Sequence, residues 1–246
     1  YRSVANTIVG GDTNNVPDIF IYDRAVNANA RVNVSSAGAQ ANNEDGNSDF
    51  TVSDNGMLIA FESIATNLVS GDANAKRDIF IRDRQNNTTC RISLTPDGFE
   101  ANGDSYEPFI SGNGDHVVFT STATNLVSGD TNGHADIFIW SRTTAGSASC
   151  AGSISRVSVS SEGVQGNGGS ARGVVNDSGR YIAYWSVASN LVDGDTNGFP
   201  DFFLFDRTTE ITSRVNVNSN VQQSNGFQNQ FAAISDDGKF VAFESF

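Results

Sequence analysis

The sequence predicts an all-β fold, a four-bladed β-propeller with four antiparallel strands in each blade. Three observations predict it: one sequence unit recurs four times, each unit holds four short runs rich in Val, Ile and Phe, and Gly, Asn and Asp separate these runs. Such runs between turn residues are typical of β-strands. No stretch has the 3.6-residue apolar period of a helix. A repeated set of four strands, with a period of about 60 residues, is typical of propeller blades.

Each unit begins with an Asp-x-Asn-x-x-x-Asp segment that leads into the first apolar run. The four runs after these segments are "DIFIYDR" at 18–24, "DIFIRDR" at 78–84, "DIFIWSR" at 136–142 and "DFFLFDR" at 201–207. A second run and a Gly/Asn-rich linker follow. The third run ends in a tight turn such as "DNG" or "DDG", where glycine supplies a positive φ. A fourth run closes the unit, and the four copies are "LIAFES", "HVVFTS", "YIAYWS" and "FVAFES".

The two ends of the chain carry copies of one strand, which bears on how a ring would close. "YRSVANTIVGGD" at 1–12 aligns without gaps to "YWSVASNLVDGD" at 184–195, and "FVAFES" stands at 240–245. We therefore expect the C-terminal strands to complete the first blade and so to hide the sheet edges. Two alternatives stay open: a window of a longer tandem array, or strands that complete a neighbouring subunit and give a polymer. The expected blades are 231–246 plus 1–36, 49–95, 108–160 and 173–218.

The runs "ATNLVSGDTNGHADIFIWSR" at 123–142 and "ISDDGKFVAFES" at 234–245 resemble the repeats of TolB-like (WD-like) bacterial β-propellers. The resemblance covers essentially the whole chain, in four copies. It implies the propeller fold but no single function, because such propellers serve as periplasmic adaptors, enzyme-associated domains and secreted surface proteins. The chain departs from the family in its longer unit of about 60 residues and in its four blades.

The Asp-x-Asn segments are candidate calcium sites. Oxygen side chains at positions 1 and 3 of a tight loop converge on one point, and Ca²⁺ takes such oxygen ligands. The pattern lacks the third acidic position and the bidentate Glu of an EF-hand loop. The alternative is that these side chains cap turns by accepting bonds from nearby backbone amides. The candidate ligands are Asp12, Asn14, Asp18, Asp72, Asn74, Asp78, Asp130, Asn132, Asp136, Asp195, Asn197 and Asp201.

Three other features suggest sites. Trp140 stands where other units have Tyr, Arg or Phe, so we expect it to face outward, where it could stack on a sugar as in a lectin. Cys90 and Cys150 each precede the fourth strand of an expected blade, and Cys150 lies in an insertion, "AGSASCAGS", that lengthens its unit. We expect an internal disulfide between them; a bond to another chain and two unrelated buried thiols are the alternatives. That disulfide would indicate an extracellular or periplasmic setting. The arginine pairs of each unit, such as Arg24 with Arg31 and Arg84 with Arg91, accompany Asp23 and Asp83, and we expect them to form repeating ion pairs or to bind carbonyls between blades.

Charge and composition narrow the function. The net charge of −13 disfavours nucleic acid and anionic membranes as partners, and no apolar run is long enough to span a membrane. The two histidines, His116 and His134, occupy positions that do not repeat, and no nucleophile elbow or histidine cluster accompanies them. We therefore expect a non-catalytic extracellular or cell-surface propeller, a structural or interaction module that could form the repeating subunit of a filament. The alternative is a propeller that binds glycans or proteins.

Overall fold

The computed structural model describes residues 1–43, 49–144, 150–226 and 228–245, and this part of the chain forms five antiparallel β-sheets. Sheet 1 contains β1 (Arg2–Ser3), β2 (Asp18–Asp23) and β3 (Ala28–Arg31). Sheet 2 contains β4 (Phe50–Val52), β5 (Leu58–Ser63), β6 (Asp78–Asp83) and β7 (Thr88–Arg91). Sheet 3 contains β8 (Ser105–Ile110), β9 (His116–Ser121), β10 (Asp136–Arg142) and β11 (Gly152–Arg156). Sheet 4 contains β12 (Ser170–Val175), β13 (Tyr181–Ser186), β14 (Asp201–Asp206) and β15 (Ile211–Arg214). Sheet 5 contains β16 (Gln228–Ile234) and β17 (Val241–Ser245).

The three complete sheets confirm the predicted order of strands within a unit. Consecutive strands pair as antiparallel neighbours in sheets 2, 3 and 4. The turns between the first and second strands follow the predicted chemistry, since Gly114 and Gly179 have φ values of 79° and 68°. A side chain would be strained in this left-handed region, which explains why glycine recurs there.

The core lies between neighbouring sheets. One apolar cluster joins sheets 1 and 2, a second joins sheets 2 and 3, and a third joins sheets 3 and 4. In sheets 2, 3 and 4 an aromatic side chain of the second strand stacks on one of the third strand; the pairs are Phe61–Phe80, Phe119–Phe138 and Tyr184–Phe203. In sheet 1, Tyr1 stacks on Phe20 of β2 in the same way. All of these residues except Tyr1 are buried, so they form part of the core.

The predicted closed ring of four blades is wrong for this structure. Residues 231–245 form sheet 5, which packs beside sheet 4, and neither of its strands pairs with a described strand of sheet 1. The reason is that β1 already lies beside β2, with Ser3 opposite Asp18 just as Ser63 lies opposite Asp78. β1 and β17 are copies of the same strand, so both cannot occupy this position. The described residues thus form three complete sheets and two incomplete ones.

The described residues contain no helix of the length and apolar character that a membrane span requires.

Candidate functional site

The Asp-x-Asn segments bind an arginine of their own unit. In the second unit Arg91 reaches from β7 into the segment, and its Nη1 atom lies 3.1 Å from Asp72 Oδ1 and 3.1 Å from Asp78 Oδ2. The same nitrogen lies 3.0 Å from Glu100 Oε1. The Arg91 side chain is 6% exposed, and those of Asp72 and Asp78 are 3% and 0% exposed. The cation at the centre of this segment is therefore a guanidinium.

The same arrangement recurs in every unit. Arg31 lies 3.3 Å from Asp12 and 2.8 Å from Asp18. Arg156 lies 3.3 Å from Asp130 and 3.6 Å from Asp136, and Arg214 lies 3.0 Å from Asp195 and 3.1 Å from Asp201. Repeating ion pairs are therefore present, but these arginines pair with the aspartates of the Asp-x-Asn segments rather than with Asp23 and Asp83, and the eight carboxylates are paired within the protein.

The asparagine of each segment closes the loop. Asn74 Nδ2 donates to Asp78 Oδ2 (3.3 Å) and to the Ala101 carbonyl (3.1 Å), and Asn74 Oδ1 accepts the Lys76 amide (3.0 Å). This is the backbone bond that the turn-capping alternative predicts. Asn14, Asn132 and Asn197 make the equivalent bonds.

As arranged, these residues do not fit a calcium ion. Ca²⁺ takes six to eight oxygen ligands, whereas here each segment surrounds an arginine and Asn74 turns an amide donor toward Asp78. Among the described residues no group of three or more His, Cys, Asp or Glu side chains is arranged to hold a metal ion. A bound ion would have to displace the arginine. Calcium binding stays a prediction that only a metal titration can decide.

Burial makes these carboxylates costly to ionise. It raises the pKa of Asp72 to about 6 although Arg91 opposes the shift, and it raises the pKa of Asp78 as well. Desolvation disfavours the charged form of a carboxyl group, and a nearby cation restores only part of the loss. The arginine is thus the group on which the charged state of each segment depends.

The predicted disulfide is present, and it joins two sheets. Cys90 lies on β7 of sheet 2, Cys150 precedes β11 of sheet 3, and their Cα atoms are 5.8 Å apart. A covalent bond therefore links the outer strands of neighbouring sheets.

This bond stands where other sheet pairs use hydrogen bonds. Thr89 Oγ1 donates to the Val34 carbonyl and Thr212 Oγ1 to the Val159 carbonyl, which joins sheets 1 and 2 and sheets 3 and 4. The loop serines Ser36 and Ser161 accept the amides of the same threonines, at 2.9 Å and 3.1 Å. Between sheets 2 and 3 the equivalent residues are Pro96 and Ile154, which carry no hydroxyl group. The disulfide replaces that contact.

Trp140 does not face outward, so the prediction that it stacks on a sugar is wrong. It is 3% exposed and belongs to the core between sheets 2 and 3. A cavity beside it is lined by both cysteines, and Gly152 lies so close that an added Cβ atom would fall 2.1 Å from Trp140 Nε1. The segment that carries Cys150 and Gly152 covers the ring.

His116 has a serine neighbour but not the surroundings of a catalytic base. Its Nδ1 atom lies 3.0 Å from Ser141 Oγ, and Ser141 is 9% exposed. Burial is the main cause that lowers the pKa of His116, and a hydrogen bond to the Ser178 backbone opposes this shift. The ring thus has one partner in its own sheet and one in the turn between β12 and β13, and the serine hydroxyl has little access to a substrate. His134 lies on the exposed loop of the third segment.

The inner strands carry a charged network that sequence reasoning missed. Both β8 and β12 contain a β-bulge, and the bulge residues Glu107 and Arg172 have φ values of 57° and 54°. Arg172 Nε lies 3.3 Å from Glu107 Oε1, and the Arg172 guanidinium lies 4.6 Å from the ring centre of Phe231. The Glu107 amide in turn donates to Glu62 Oε2 at 2.7 Å. Bulges re-aim side chains in this way, and they often do so near functional sites.

These residues lie along a shallow cleft between the inner strands. It has a volume of about 260 Å³ and is lined by Asp49, Phe50, Glu107, Phe109, Arg172 and Phe231. The sequence does hold a signal of this surface. The bulge position carries Asp49, Glu107, Arg172 and Phe231 in successive units, while the residues around it repeat. A position that varies within an otherwise repeating unit is not fixed by the common fold.

Comparison with solved structures shows which known proteins this architecture is similar to. The chain is similar to a candidate TolB from Agrobacterium tumefaciens, with a TM-score of 0.56 and 14% identity over 93% of this chain and 63% of that one. It is also similar to the tricorn protease, with a TM-score of 0.51 and 17% identity over 93% of this chain and 22% of that one. The chain has a β-propeller fold. At these identities the similarity shows the propeller fold alone, and the chain spans less than two thirds of either protein. No family model and no curated protein matches the sequence.

Glu62 makes the stability of the propeller depend on pH. Its side chain is 2% exposed and lies 3.0 Å from Arg77, and burial raises its pKa to about 7. The folded state then holds this proton over a range where the unfolded chain, with the ordinary pKa of 4.5, has lost it. The stability that Glu62 contributes is therefore fully present below pH 4.5 and is lost as the pH rises through 7. We expect the free energy of unfolding to drop by about 3 kcal/mol over this range from this group.

Urea denaturation at pH 5 and pH 8 measures this drop. Glu62→Gln should reduce the measured drop by about this amount and leave the part that comes from Asp72, while Glu162→Gln, which changes an exposed glutamate, should leave the drop unchanged. An equal pH dependence in all three proteins would contradict the assignment to Glu62.

Proposed function

We propose that the protein is a non-catalytic structural or interaction module of the TolB-like propeller type, and that it assembles with itself as the repeating subunit of an extracellular filament. One observation carries this proposal. Sheet 1 holds strands that correspond to the outer half of a blade, and sheet 5 holds the two that correspond to the inner half. An unpaired strand edge is a template for pairing with another chain.

The way in which the polar repeats are used supports a structural role. Asn42 Oδ1 accepts the Thr66 amide (3.0 Å), and Asn67 Oδ1 accepts the Asn42 amide (3.0 Å), so the linker leaving sheet 1 is tied to a loop of sheet 2. The same bonds recur between Asn102, Thr124 and Asn125 and between Asn167, Ser189 and Asn190. The repeated sequence thus joins sheet to sheet into a stiff body.

The disulfide supports a location outside the cytoplasm. Disulfides persist in extracellular and periplasmic compartments and are rare where thiols are kept reduced. We therefore propose an extracellular or cell-surface protein, with the periplasm as the other oxidising compartment.

The other candidate functions have less support. The lectin-like alternative loses its candidate stacking residue, because Trp140 is buried, and would have to use loops on one face or the central channel. One structural relative is named a protease, but the similarity spans only 22% of that chain and carries no activity over to this one. Calcium could act only by displacing the arginines, so we expect a chelator to leave the assembly intact.

Light scattering and negative-stain microscopy of the whole protein, with and without chelator, test the proposal. Long particles with a repeat of one propeller would support it, and a compact species of 26.1 kDa would contradict it. Particles that dissolve in chelator would show that the Asp-x-Asn segments bind a metal after all.

Val241→Pro should abolish assembly. The Phe240 carbonyl accepts a bond from the amide of Ser235, which directly follows β16, so by the alternation of an antiparallel ladder the Val241 amide points to the open edge. Proline removes that donor, while Val241→Ala keeps it and loses the same side chain. We expect particles from the alanine variant and single propellers from the proline variant. Equal assembly of both would show that the β17 edge is not the contact.

A further inference from the structure

We infer that a groove beside the outer strand of sheet 2 binds a neutral glycan. The groove has a volume of about 980 Å³, and it is lined by β7, by the loops that follow β3 and β7, by the segment between β5 and β6, and by both cysteines. This volume is at the upper end of the range for ligand sites. The inference goes beyond the proposed function and does not depend on self-assembly, because the groove forms within one copy of the chain.

Three residues that line this groove differ from those at the same position in the other units. They are Cys90, Phe99 and Glu100. The other three units carry Ala30, Ser155 and Ser213 in place of Cys90, Ala39, Val164 and Gln222 in place of Phe99, and Gln40, Gln165 and Gln223 in place of Glu100. The common fold does not require the residues of the second unit, because the other units build the same turns and strands without them.

Phe99 presents its ring to solvent on a well-defined turn. The residue is 69% exposed. Its amide donates to Thr95 Oγ1 at 3.0 Å, its carbonyl accepts the Thr95 amide at 2.9 Å, and Gly98 supplies the positive φ of 80° within the turn. A pyranose ring packs its face of C–H groups against such an aromatic ring. Because the turn already holds the ring in place, little conformational entropy is lost on binding.

The change from Gln to Glu leaves an acceptor without a donor. In the other units the glutamine Nε2 donates to a threonine hydroxyl, at 3.3 Å from Gln40 to Thr13, 2.6 Å from Gln165 to Thr131 and 3.1 Å from Gln223 to Thr196. In the second unit Ala73 takes the place of the threonine. Glu100 Oε1 accepts the amides of Ala73 and Asn74 and a bond from Arg91, while the described residues donate no hydrogen bond to Oε2. A ligand hydroxyl would donate to this oxygen.

The charges around Glu100 favour a ligand without net charge. Arg91 Nη1 lies 3.0 Å from Glu100 Oε1, so a second cation at this carboxylate would be repelled. The same guanidinium is shared with Asp72 and Asp78, and the chain has a net charge of −13, so an anionic ligand would be repelled as well. A neutral glycan avoids both penalties, and it combines the hydroxyl group for Glu100 with the C–H face for Phe99.

Native electrophoresis in gels that contain laminarin, mannan, dextran or xyloglucan tests the inference with the whole protein. We expect at least one of these neutral polysaccharides to slow the protein. Phe99→Ala should weaken the apparent affinity at least tenfold and Glu100→Gln at least fivefold. Glu100→Gln is compatible with the fold, because glutamine holds this position in the other units. Val164→Ala, the matched change at an exposed residue of the third unit, should leave the affinity unchanged.

Three results would overturn the inference. Equal slowing of the native protein and all three variants would show that the glycan binds elsewhere. Unchanged mobility in every gel would exclude a neutral glycan as the ligand. Calorimetry that shows binding of phenethylamine, lost in Glu100→Gln, would show that the groove holds a cation instead. Light scattering of the same samples measures self-assembly separately, so failure of the glycan site and failure of the proposed function can be told apart.

Discussion

Arg91→Ala is expected to lower the free energy of unfolding by about 3–5 kcal/mol, the largest effect we expect from a single substitution. The reason is that Arg91 is the cation shared by three carboxylates, two of which are almost completely buried. Its removal leaves Asp72 and Asp78 to lose their charge or to draw in water. Urea denaturation at pH 7, with the slope checked against that of the native protein, measures the loss.

Two control variants separate this cause from others. Arg180→Ala removes an arginine whose ion pair with Asp206 is close, at 2.7 Å, but whose side chain is 41% exposed, so its stability should remain near that of the native protein. Arg91→Lys keeps the charge, but the lysine cannot reach Asp72, Asp78 and the Gly71 carbonyl together. Its free energy of unfolding should therefore lie between those of Arg91→Ala and Arg180→Ala. If calcium restored full stability to Arg91→Ala, the segment would be a metal site in which arginine had taken the place of the ion.

Loss of the disulfide is the second large effect. Replacing Cys90 and Cys150 by serine should lower the free energy of unfolding by about 4 kcal/mol, because the bond closes a loop with a sequence separation of 60 residues. The contact between sheets 2 and 3 has neither the threonine nor the serine that ties the other sheet pairs together. Thermal or urea unfolding with and without dithiothreitol measures the effect in the native protein.

The matched control is Thr212→Val, which removes the hydroxyl contact between sheets 3 and 4. It should cost about 1 kcal/mol, the usual value of one buried hydrogen bond. Dithiothreitol should destabilise the native protein and Thr212→Val equally and leave the double serine variant unchanged. A native protein that is equally stable in its reduced form would show that apolar packing around Trp140 alone holds this interface.

Much of the fold could be predicted because its signals are local and are repeated. Short runs rich in Val, Ile and Phe mark the strands, and the glycine turns mark where strands reverse. The predicted blade at 49–95 contains all of sheet 2, whereas the blades predicted at 108–160 and 173–218 begin too late, because β8 starts at Ser105 and β12 at Ser170. The disulfide could be predicted from the insertion around Cys150, which breaks the period of the repeat.

The errors arose where residues far apart in sequence meet. Trp140 lies in an aromatic position of an ordinary strand, and only the approach of Gly152 and the disulfide shows that it is covered. The arginine beside each Asp-x-Asn segment was also missed, because it follows the segment in the chain by a whole strand pair. Ring closure failed because alignment shows that two strands are equivalent but not which of them occupies the site.

The sequence by itself determined the strands, their order within each sheet and the polar residues that every unit repeats, because these depend on backbone preferences and on side chains close together along the chain. Only the tertiary structure decided that an arginine neutralises each acidic segment, that Trp140 is buried, and that the first and last sheets are left as unjoined halves of a blade. Each of these depends on which surfaces meet when the sheets pack, and burial, desolvation and competition for one strand position act only at that stage.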